Sequence, residues 1–374
     1  MKSIHKFMSD SLALRKENNS LRTLKAESSL LDFCSNDYLG FARSNNLKLL
    51  FESELKKHPN YNMGSGGSRL LAGNSTFAEE LEQEIANFHH SEAALLFNSG
   101  YDANIGIFSS ITQRGDTIIT DEYIHASIID GVRLSHATRY VFKHNDLESL
   151  EQKLKVSKGK IFIVVESIYS MDGDQAPLID LSHLAKQYDA ALIVDEAHAT
   201  GVFGELGRGL VYDLGLCDQV FARIITFGKA LGTHGAAILG TEQLRSFLIN
   251  FSRSFIYTTA ASFLSHLAIK CAYQQLKNSD YQSPLKERIK CFRESISADI
   301  NLLNSQSAIQ IILIPGNKEA REAALNIQNA GFDVRAILSP TVAQGTERIR
   351  ICLHNHNSIA DIQRLSHNLN DIIK

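Results

Sequence analysis

Residues 93 to 241 alternate short apolar, β-branched segments with segments of helical periodicity. This alternation is typical of an α/β domain, in which helices cover a mainly parallel sheet. It predicts strands at 93–98, 117–121, 139–143, 161–165, 191–194, 222–226 and 236–239, with helices at 101–113, 126–134, 147–155 and 181–188.

Chemically useful side chains follow several of these predicted strands. In parallel sheets the loops after the strands meet at one edge and line a crevice there. Asp195 ends one strand, Lys229 comes three residues after another, and Ser99 and Gly100 form a turn after a third. A helix begins after that turn, and amides at a helix N-terminus bind phosphate well. The pattern alone therefore predicts a site at this edge.

Lys229 and its neighbours in this predicted site suit one cofactor. A lysine just past a buried strand is costly unless it reaches water, forms a pair or takes part in chemistry, and desolvated lysines form Schiff bases. His198 follows Asp195 by three residues. Pyridoxal phosphate (PLP) needs a lysine that holds it as an imine, a carboxylate that keeps its ring nitrogen protonated, and a donor for its phenolic oxygen.

Seven short segments extend this interpretation to most of the chain. They are Ser35–Gly40 (SNDYLG), Gly64–Arg69 (GSGGSR), Asn98–Tyr101 (NSGY), His125–Ser127 (HAS), Ser170–Asp174 (SMDGD), Asp195–His198 (DEAH) and Thr226–Lys229 (TFGK). In this order they resemble the α-oxoamine synthases, PLP-dependent enzymes of fold type I. The forms of the segments are most similar to the branch of that family that acts in biotin synthesis.

The resemblance implies roles for individual residues. The expected catalytic residues are Lys229, His125, Asp195 and His198. The expected contacts to PLP are Lys229, Gly100, Tyr101, His125, Ser170, Asp195, His198, Thr226, Thr258 and Thr259, the last two reaching the phosphate bound by a partner subunit. The expected substrate contacts are Arg22 near the acyl entry, Asn36 at the substrate carboxylate, and Arg350, whose guanidinium can hold a carboxylate through two hydrogen bonds.

The resemblance also implies a domain arrangement. We expect an N-terminal segment (1–45), a large PLP-binding domain with a mainly parallel mixed sheet between helices (46–280), and a smaller α+β domain (281–374). A helix is predicted from residue 242 to about 277. In the last domain we predict helices at 285–305, 318–329 and 358–373 and strands at 309–314 and 348–352.

The implied reaction is a decarboxylative condensation of L-alanine with a pimeloyl thioester, carried by CoA or an acyl carrier protein, in a homodimer with shared active sites. Three alternatives stay open. Glycine or serine with another acyl-CoA would give a sister synthase. An aminotransferase on the same fold would need no thioester. A non-catalytic binding subunit would not need to keep Lys229, Asp195 and His198 together, as this chain does.

Bulk properties favour a cytoplasmic enzyme. The 374 residues carry a net charge of −3, which gives no reason to expect nucleic acid or a membrane surface as a partner. Neither a signal peptide nor a membrane-spanning apolar run is predicted. The five cysteines are scattered without metal-site spacing, and we expect them to be reduced. His354 and His356 form an HxH in a polar loop and are predicted to be solvated, so no metal is expected.

The sequence departs from the family pattern at three places. Leu338 stands where an arginine is frequent, before Ser339 and Pro340. Ala78 replaces a common histidine, and Ser262-Phe263 replaces a frequent Pro-Pro. The missing arginine bears on how the acyl group or its carrier is held, and it leaves the expected cofactor residues intact.

Overall fold

The computed structural model describes residues 2–24 and 29–373. Its strands are β1 (Leu31–Asp32), β2 (Ala93–Phe97), β3 (Thr117–Asp121), β4 (Thr138–Phe142), β5 (Ile161–Glu166), β6 (Ala190–Asp195), β7 (Ala222–Thr226), β8 (Ala236–Gly240), β9 (Ile309–Leu313), β10 (Phe332–Asp333), β11 (Arg335–Ile337) and β12 (Arg348–Cys352). All seven strands predicted between residues 93 and 241 are present, each within one residue of its predicted ends.

The described residues also form α-helices. They are α1 (Lys2–Glu17), α2 (Asn45–Leu55), α3 (Thr76–Phe88), α4 (Gly100–Ser110), α5 (Ala126–Leu134), α6 (Leu147–Val156), α7 (Leu178–Gln187), α8 (Leu210–Asp213), α9 (Glu242–Phe251), α10 (Arg253–Ile256), α11 (Phe263–Asn278), α12 (Gln282–Ser295), α13 (Asn317–Asn329) and α14 (Ile359–Ile372). Within the described ranges, none of these helices is long and apolar enough to cross a membrane.

The chain divides into two compact units. The larger comprises Asn36–Ser170 and Asp174–Pro284, and the smaller comprises residues 1–35, 171–173 and 285–374. The domain limits predicted from the sequence, at residues 45 and 280, stay a prediction.

The larger unit is built on a seven-stranded sheet in the order β2-β8-β7-β6-β5-β3-β4. Only β8 runs antiparallel to its neighbours, so the sheet is mixed but mainly parallel. Successive side chains of β5 enter different cores: Phe162 and Val164 join one apolar cluster, and Ile163 and Val165 join another. Burial on both faces explains why these strands read as continuous apolar runs in the sequence.

The smaller unit contains a three-stranded antiparallel sheet in the order β11-β12-β9 and a two-stranded parallel pair, β1 with β10. Helix α14 begins with a capping box in which Ser358 and Asp361 satisfy each other's backbone amides. The predicted strand at 348–352 matches β12. The helix predicted at 285–305 was too long, because α12 ends at Ser295.

The single helix predicted from residue 242 to 277 was also wrong, because the structure divides it into α9, α10 and α11. The break at 257–262 has a tertiary cause, since its backbone bonds to a loop that is distant in sequence. The amide of Ala260 donates to the carbonyl of Gly67 at 2.9 Å, and Ser65 Oγ donates to the carbonyl of Ala260 at 2.8 Å. Ser262 then caps α11 by accepting from the amide of Ser265.

Candidate active site

Lys229 lies in the turn after β7 and contacts a buried histidine. Its Nζ is 2.8 Å from Nε2 of His198, and Nδ1 of that ring is 2.7 Å from Tyr38 Oη. Tyr38 Oη also lies 3.1 Å from Oδ1 of Asn36, to which it donates. An ammonium group only donates, so the bonds run in one direction, from Lys229 through His198 and Tyr38 to Asn36. Two expected catalytic residues and one expected substrate contact are thus connected.

Asp195 ends β6 as a buried carboxylate, with 5 % of its surface exposed. Its Oδ1 accepts from the amide of Ala197 at 2.9 Å, and its Oδ2 accepts from Nδ2 of Asn104, also at 2.9 Å. Hydrogen bonds to both oxygens stabilise the ionised form of a carboxylate. Both carboxylate oxygens of Asp195 therefore have hydrogen-bond donors inside the larger unit.

His125 caps the N-terminus of α5. Its Nδ1 lies 2.8 Å from Ser127 Oγ and accepts from the amide of Ser127 at 3.2 Å. The side chain is exposed, yet the protein around the ring restricts its hydration and lowers the pKa of His125. The charge of Lys229 acts in the same direction, and that of Asp195 opposes it. The imidazole is thereby favoured in its neutral form.

Gly100 begins α4, and Ser99 caps this helix by accepting from the amide of Asp102. A Cβ at Gly100 would lie 2.7 Å from Cγ2 of Thr226, so only glycine permits this approach of the helix to the end of β7. Tyr101 is 45 % exposed, and its hydroxyl bonds to Asp130. Three of the expected cofactor contacts therefore surround one helix N-terminus.

Thr258 and Thr259 follow α10 and are held by Asn98, at the end of β2. Nδ2 of Asn98 donates to Thr258 Oγ1 at 3.1 Å and to the carbonyl of Thr259 at 2.8 Å. The two threonines are not helix caps. Their expected contact with a partner subunit stays a prediction.

Glu166 is a second buried carboxylate, next to Asp195. The two residues are paired in register on β5 and β6, so their side chains leave the sheet on the same face. Burial and the charge of Asp195 raise the pKa of Glu166 to about 8, although Lys229 and the amides of His125 and Ser170 oppose the rise. In the described part of the chain, Oε1 of Glu166 has no hydrogen-bond partner. Ser170 is buried in the same loop.

Arg22 and Arg350 belong to the smaller unit. Arg22 is exposed, and its Nη2 donates to Thr341 Oγ1 at 3.3 Å. Arg350 lies on β12, is 9 % exposed, and its Nη1 approaches Sγ of Cys352 to 2.9 Å. It is therefore not on an exposed sheet face. The expected contacts of both arginines with substrate stay predictions.

The prediction that His354 is solvated was wrong, because this residue is fully buried. Its Nδ1 lies 3.0 Å from Oδ1 of Asn357, and its Nε2 lies 2.8 Å from the carbonyl of Ser35. Possible ligand atoms of Asp32, His354 and His356 lie within 4.8 Å of one another. Asp32, however, already accepts three hydrogen bonds from Cys34 and Ser35, which hold its pKa low although burial opposes them. The cluster is explained by packing within the unit.

The departures from the family pattern have different surroundings. Ala78 is fully buried on α3, where a histidine would need space that this packing lacks. Phe263 packs against Phe77 and Tyr61 with ring centroids 4.9 and 5.7 Å apart. Leu338 lines a cavity of the smaller unit together with Arg22.

Sequence reasoning missed three residues of this site. Tyr38 and Ser127 lie inside the motifs SNDYLG and HAS, and motif position was the only signal that could have identified them. Asn104 lies on an otherwise apolar face of α4 and is 2 % exposed. A buried asparagine among apolar helix residues needs partners, and that mismatch was the available signal.

The chain matches the family described as aminotransferase class I and II over residues 28–367. An 8-amino-7-oxononanoate synthase from Emericella nidulans is 42 % identical, and the match covers 96 % of this chain and 94 % of that protein. The aminoacyl transferase sphA from Byssochlamys spectabilis is 33 % identical, covering 97 % of this chain and 86 % of that protein.

Two solved structures are similar in fold to this chain. The 8-amino-7-oxononanoate synthase from Francisella tularensis has a TM-score of 0.79 at 30 % identity, covering 93 % of this chain and 98 % of that chain. A structure of SPT with PLP has a TM-score of 0.86 at 26 % identity, covering 92 % of this chain and 87 % of that one. These similarities confirm the predicted fold class.

Proposed function

Because the chain belongs to the aminotransferase class I and II family, and within it to the α-oxoamine synthases, we propose that it condenses L-alanine with a pimeloyl thioester. The products are 8-amino-7-oxononanoate, CO₂ and the free thiol, and the pathway is biotin synthesis. The observation that carries this proposal is the 42 % identity to an 8-amino-7-oxononanoate synthase over 94 % of its length.

The residues present fit PLP. The amine of Lys229 lies beside a buried histidine, Asp195 is a buried carboxylate with donors to both oxygens, and α4 offers amides beside a glycine that Thr226 packs against. These are the groups that an imine, a pyridine nitrogen and a phosphate require. Lys229 would hold the cofactor, Asp195 would face its ring nitrogen, and Gly100 would lie at its phosphate.

When bound, PLP supplies an electron sink that stabilises negative charge at the α carbon of an amino acid. Lys229, once freed by the incoming alanine, would take the proton from that carbon. Asp195, whose two oxygens accept from Ala197 and Asn104, would face the ring nitrogen and keep a proton on it. Positioned proton transfer of this kind contributes about 10²- to 10⁴-fold to rate.

His198 would be held in place by Tyr38, and His125 would act as a hydrogen-bond donor. With Nε2 of His198 accepting from the Lys229 ammonium, its Nδ1 carries the proton that Tyr38 accepts. The ring is thus fixed before substrate arrives. His125 would donate to the thioester oxygen as negative charge develops there, a form of oxyanion stabilisation.

A sister synthase is the second candidate. The 33 % identity to an aminoacyl transferase and the similarity to SPT favour a reaction with the same bond changes but with serine or glycine and another acyl thioester. Leu338, in place of the frequent arginine, is the residue of this chain that most directly allows a different acyl group. An aminotransferase, the remaining enzyme alternative, would turn over an amino acid and a keto acid without any thioester.

Product detection by mass spectrometry tests these candidates. Purified protein with PLP and pimeloyl-CoA is given alanine, glycine or serine in parallel, and each reaction is repeated with pimeloyl-carrier protein. We expect 8-amino-7-oxononanoate with alanine only. A product with serine or glycine instead would favour the sister synthase. Transamination of a keto acid without a thioester would favour the aminotransferase.

The proposed homodimer is tested by mixing inactive variants. Lys229→Ala removes the amine from one subunit, and a Thr258→Ala, Thr259→Ala variant removes the hydroxyls expected to reach the partner's site. A heterodimer contains one site that keeps both features. We therefore expect mixed subunits to regain activity that neither variant has alone, and absence of recovery would contradict a shared site.

A further inference from the structure

Two helices of the larger unit meet closely beside Asp195. A Cβ at Gly131 on α5 would lie 2.8 Å from the carbonyl oxygen of Asn104 and 3.1 Å from Cα of Ile105, both on α4. Glycine at this position therefore lets α5 approach α4 at the turn that carries Asn104. The approach brings Ser127, in the first turn of α5, to the side chain of Asn104.

A continuous hydrogen-bonded path links Asp195 to His125 through these two side chains. Nδ2 of Asn104 donates to Asp195 Oδ2 at 2.9 Å and to Ser127 Oγ at 3.0 Å. Ser127 Oγ in turn lies 2.8 Å from Nδ1 of His125. Asn104 and Ser127 are 2 % and 1 % exposed, so water does not compete for these bonds.

Chemistry fixes the direction of each bond along this path. Ionised Asp195 only accepts, so the Asn104 side chain must present its NH₂ group to it and not its oxygen. The second hydrogen of that NH₂ group points to Ser127 Oγ, which accepts it. The single hydroxyl hydrogen of Ser127 is then available for Nδ1 of His125, and the backbone amide of Ser127, which can only donate, faces the same nitrogen at 3.2 Å.

We propose that Asn104 and Ser127 are positioning residues that transmit the charge of Asp195 to the imidazole of His125 and hold it as the Nε2–H tautomer. With Nδ1 accepting two hydrogen bonds, the proton of the neutral ring resides on Nε2. Among the residues that the structure describes, Nε2 of His125 has no hydrogen-bond partner. It is therefore the nitrogen that presents a donor to an acyl carbonyl oxygen, a role that rests on the proposed function.

The unpaired side-chain oxygen of Asn104 indicates that this residue serves the site and does not mainly stabilise the fold. Its Oδ1 is buried and lacks a partner in the described ranges. Leaving an amide oxygen unpaired in the interior is unfavourable, whereas an apolar residue of similar size would carry no such cost. The presence of an asparagine here is explained by the two acceptors of its NH₂ group, Asp195 and Ser127.

Nitrogen NMR of the full-length protein, with and without PLP, tests the tautomer directly. Two-bond proton–nitrogen correlations of imidazole-labelled protein distinguish Nδ1–H from Nε2–H rings, and the His125→Gln variant identifies the signal among 14 histidines. We expect an unprotonated Nδ1 and a protonated Nε2. A protonated Nδ1 in the neutral ring overturns the proposal without any further variant.

Substitutions of Ser127 and Asn104 then interrupt the hydrogen-bonded path. In Ser127→Ala we expect the pKa of His125 to rise, because Nδ1 loses a donor that opposes its protonation. In Asn104→Leu the Ser127 hydroxyl loses the donor that orients it, so we expect a smaller population of the Nε2–H tautomer. In both variants kcat/KM should fall about 2- to 10-fold, the scale of one neutral hydrogen bond. Ser127→Thr keeps the hydroxyl and should restore both values. Ser135→Ala is the matched control, since Ser135 follows the other end of α5 and its hydroxyl bonds to the carbonyl of Val132 at 2.7 Å.

The outcomes separate this proposal from the proposed function. The NMR result needs no substrate, so the expected tautomer can be found in a protein that makes no product, in which case only the function fails. Product formation by a protein whose His125 carries Nδ1–H would overturn the path alone. An unchanged tautomer and an unchanged pKa of His125 in both folded variants would overturn it as well.

Discussion

Nζ of Lys229 and Nε2 of His198 lie 2.8 Å apart, although 31 residues separate them in the sequence. Strands β6 and β7 are parallel neighbours, so the turns that follow them emerge at the same edge of the sheet. The contact places the only expected covalent anchor for the cofactor against a ring that Tyr38 already orients. Adjacent parallel strands thus assemble the centre of the site.

Covalent retention of PLP should depend on Lys229. After borohydride reduction, we expect peptide mass spectrometry to find the cofactor on the peptide that contains Lys229, and Lys229→Ala to lose both this adduct and activity, by about 10²-fold or more. Lys270→Ala is the control, because Lys270 bonds to Glu84 at 2.6 Å on another helix. An adduct that survives in Lys229→Ala would contradict the assignment.

Tyr38→Phe tests the orientation of His198. The change removes the Oη atom that accepts from Nδ1 of His198, so the ring loses the bond that fixes its tautomer. We expect kcat/KM to fall about 10-fold, while the reduced adduct at Lys229 persists. Tyr188→Phe also removes one hydroxyl bond, to Glu151 at 2.8 Å, and should leave kcat/KM unchanged. Equal effects of both variants would count against a role for Tyr38 in the site.

The pattern of strands could be predicted from the sequence because burial on both faces leaves a strong signal, apolar runs bounded by turns. The rule for strand ends predicted that Asp195 and Lys229 lie at one edge of the sheet, and the motifs suggested the other expected contacts, which stay predictions. Asn104 and Glu166 could not be assigned in this way, because their roles come from which neighbours the packing gives them. The break at residues 257–262 was missed because its cause, bonding to the loop at Gly67, connects residues far apart in sequence.

Glu166 should make stability depend on pH. Its pKa rises to about 8 in the folded protein, above the value of about 4.3 for an unfolded chain. The folded state therefore holds this proton more tightly, and the stability that it contributes is complete below about pH 4.3 and declines as the pH rises through about 8. Glu166→Gln cannot ionise. We expect its free energy of unfolding, relative to that of the native sequence, to increase between pH 5 and 9 by up to a few kcal/mol.

Denaturant unfolding of PLP-free protein at pH 5, 7 and 9 measures this difference. Glu79→Gln is the control, because Glu79 is exposed on α3, and its difference from the native sequence should stay constant over this range. A constant difference for Glu166→Gln as well would show that Glu166 ionises normally in the folded protein.

A cationic His144 should join the end of β3, at Asp121, to the loop of the larger unit that carries Asp174. Its Nδ1 is 3.0 Å from Asp121 and its Nε2 is 2.7 Å from Asp174, and although burial opposes protonation, these carboxylates raise the pKa of His144 to about 10. A raised histidine pKa stabilises the fold below about pH 6.5, and this stability is lost as the pH rises towards 10. We expect His144→Gln to lower the free energy of unfolding by about 1–3 kcal/mol at pH 6, and by less at pH 10.

Thermal or denaturant unfolding at pH 6 and pH 10 tests this contribution of His144 to stability. His367→Gln is the control, since His367 and Asp371 form an exposed pair 3.3 Å apart, and such pairs contribute about 0–1 kcal/mol. If the loss of unfolding free energy in His144→Gln is as large at pH 10 as at pH 6, the cause is a packing defect and not a lost charge.

The buried ion pair between Arg223 and Glu196 should contribute strongly to the stability of the larger unit. Nε of Arg223 is 2.8 Å from Oε2 of Glu196, and neither side chain is more than 4 % exposed. Arg223→Met would leave the carboxylate buried without its cation, which costs about 3–5 kcal/mol in free energy of unfolding. Lys57→Met removes an ion pair in which Nζ of Lys57 lies 2.7 Å from Oε1 of Glu54. Because this lysine is 64 % exposed, the change should cost less than about 1 kcal/mol in free energy of unfolding. Because the loss in Arg223→Met comes from an uncompensated charge, adding Glu196→Gln should recover part of it, and a double variant less stable than Arg223→Met would contradict this account.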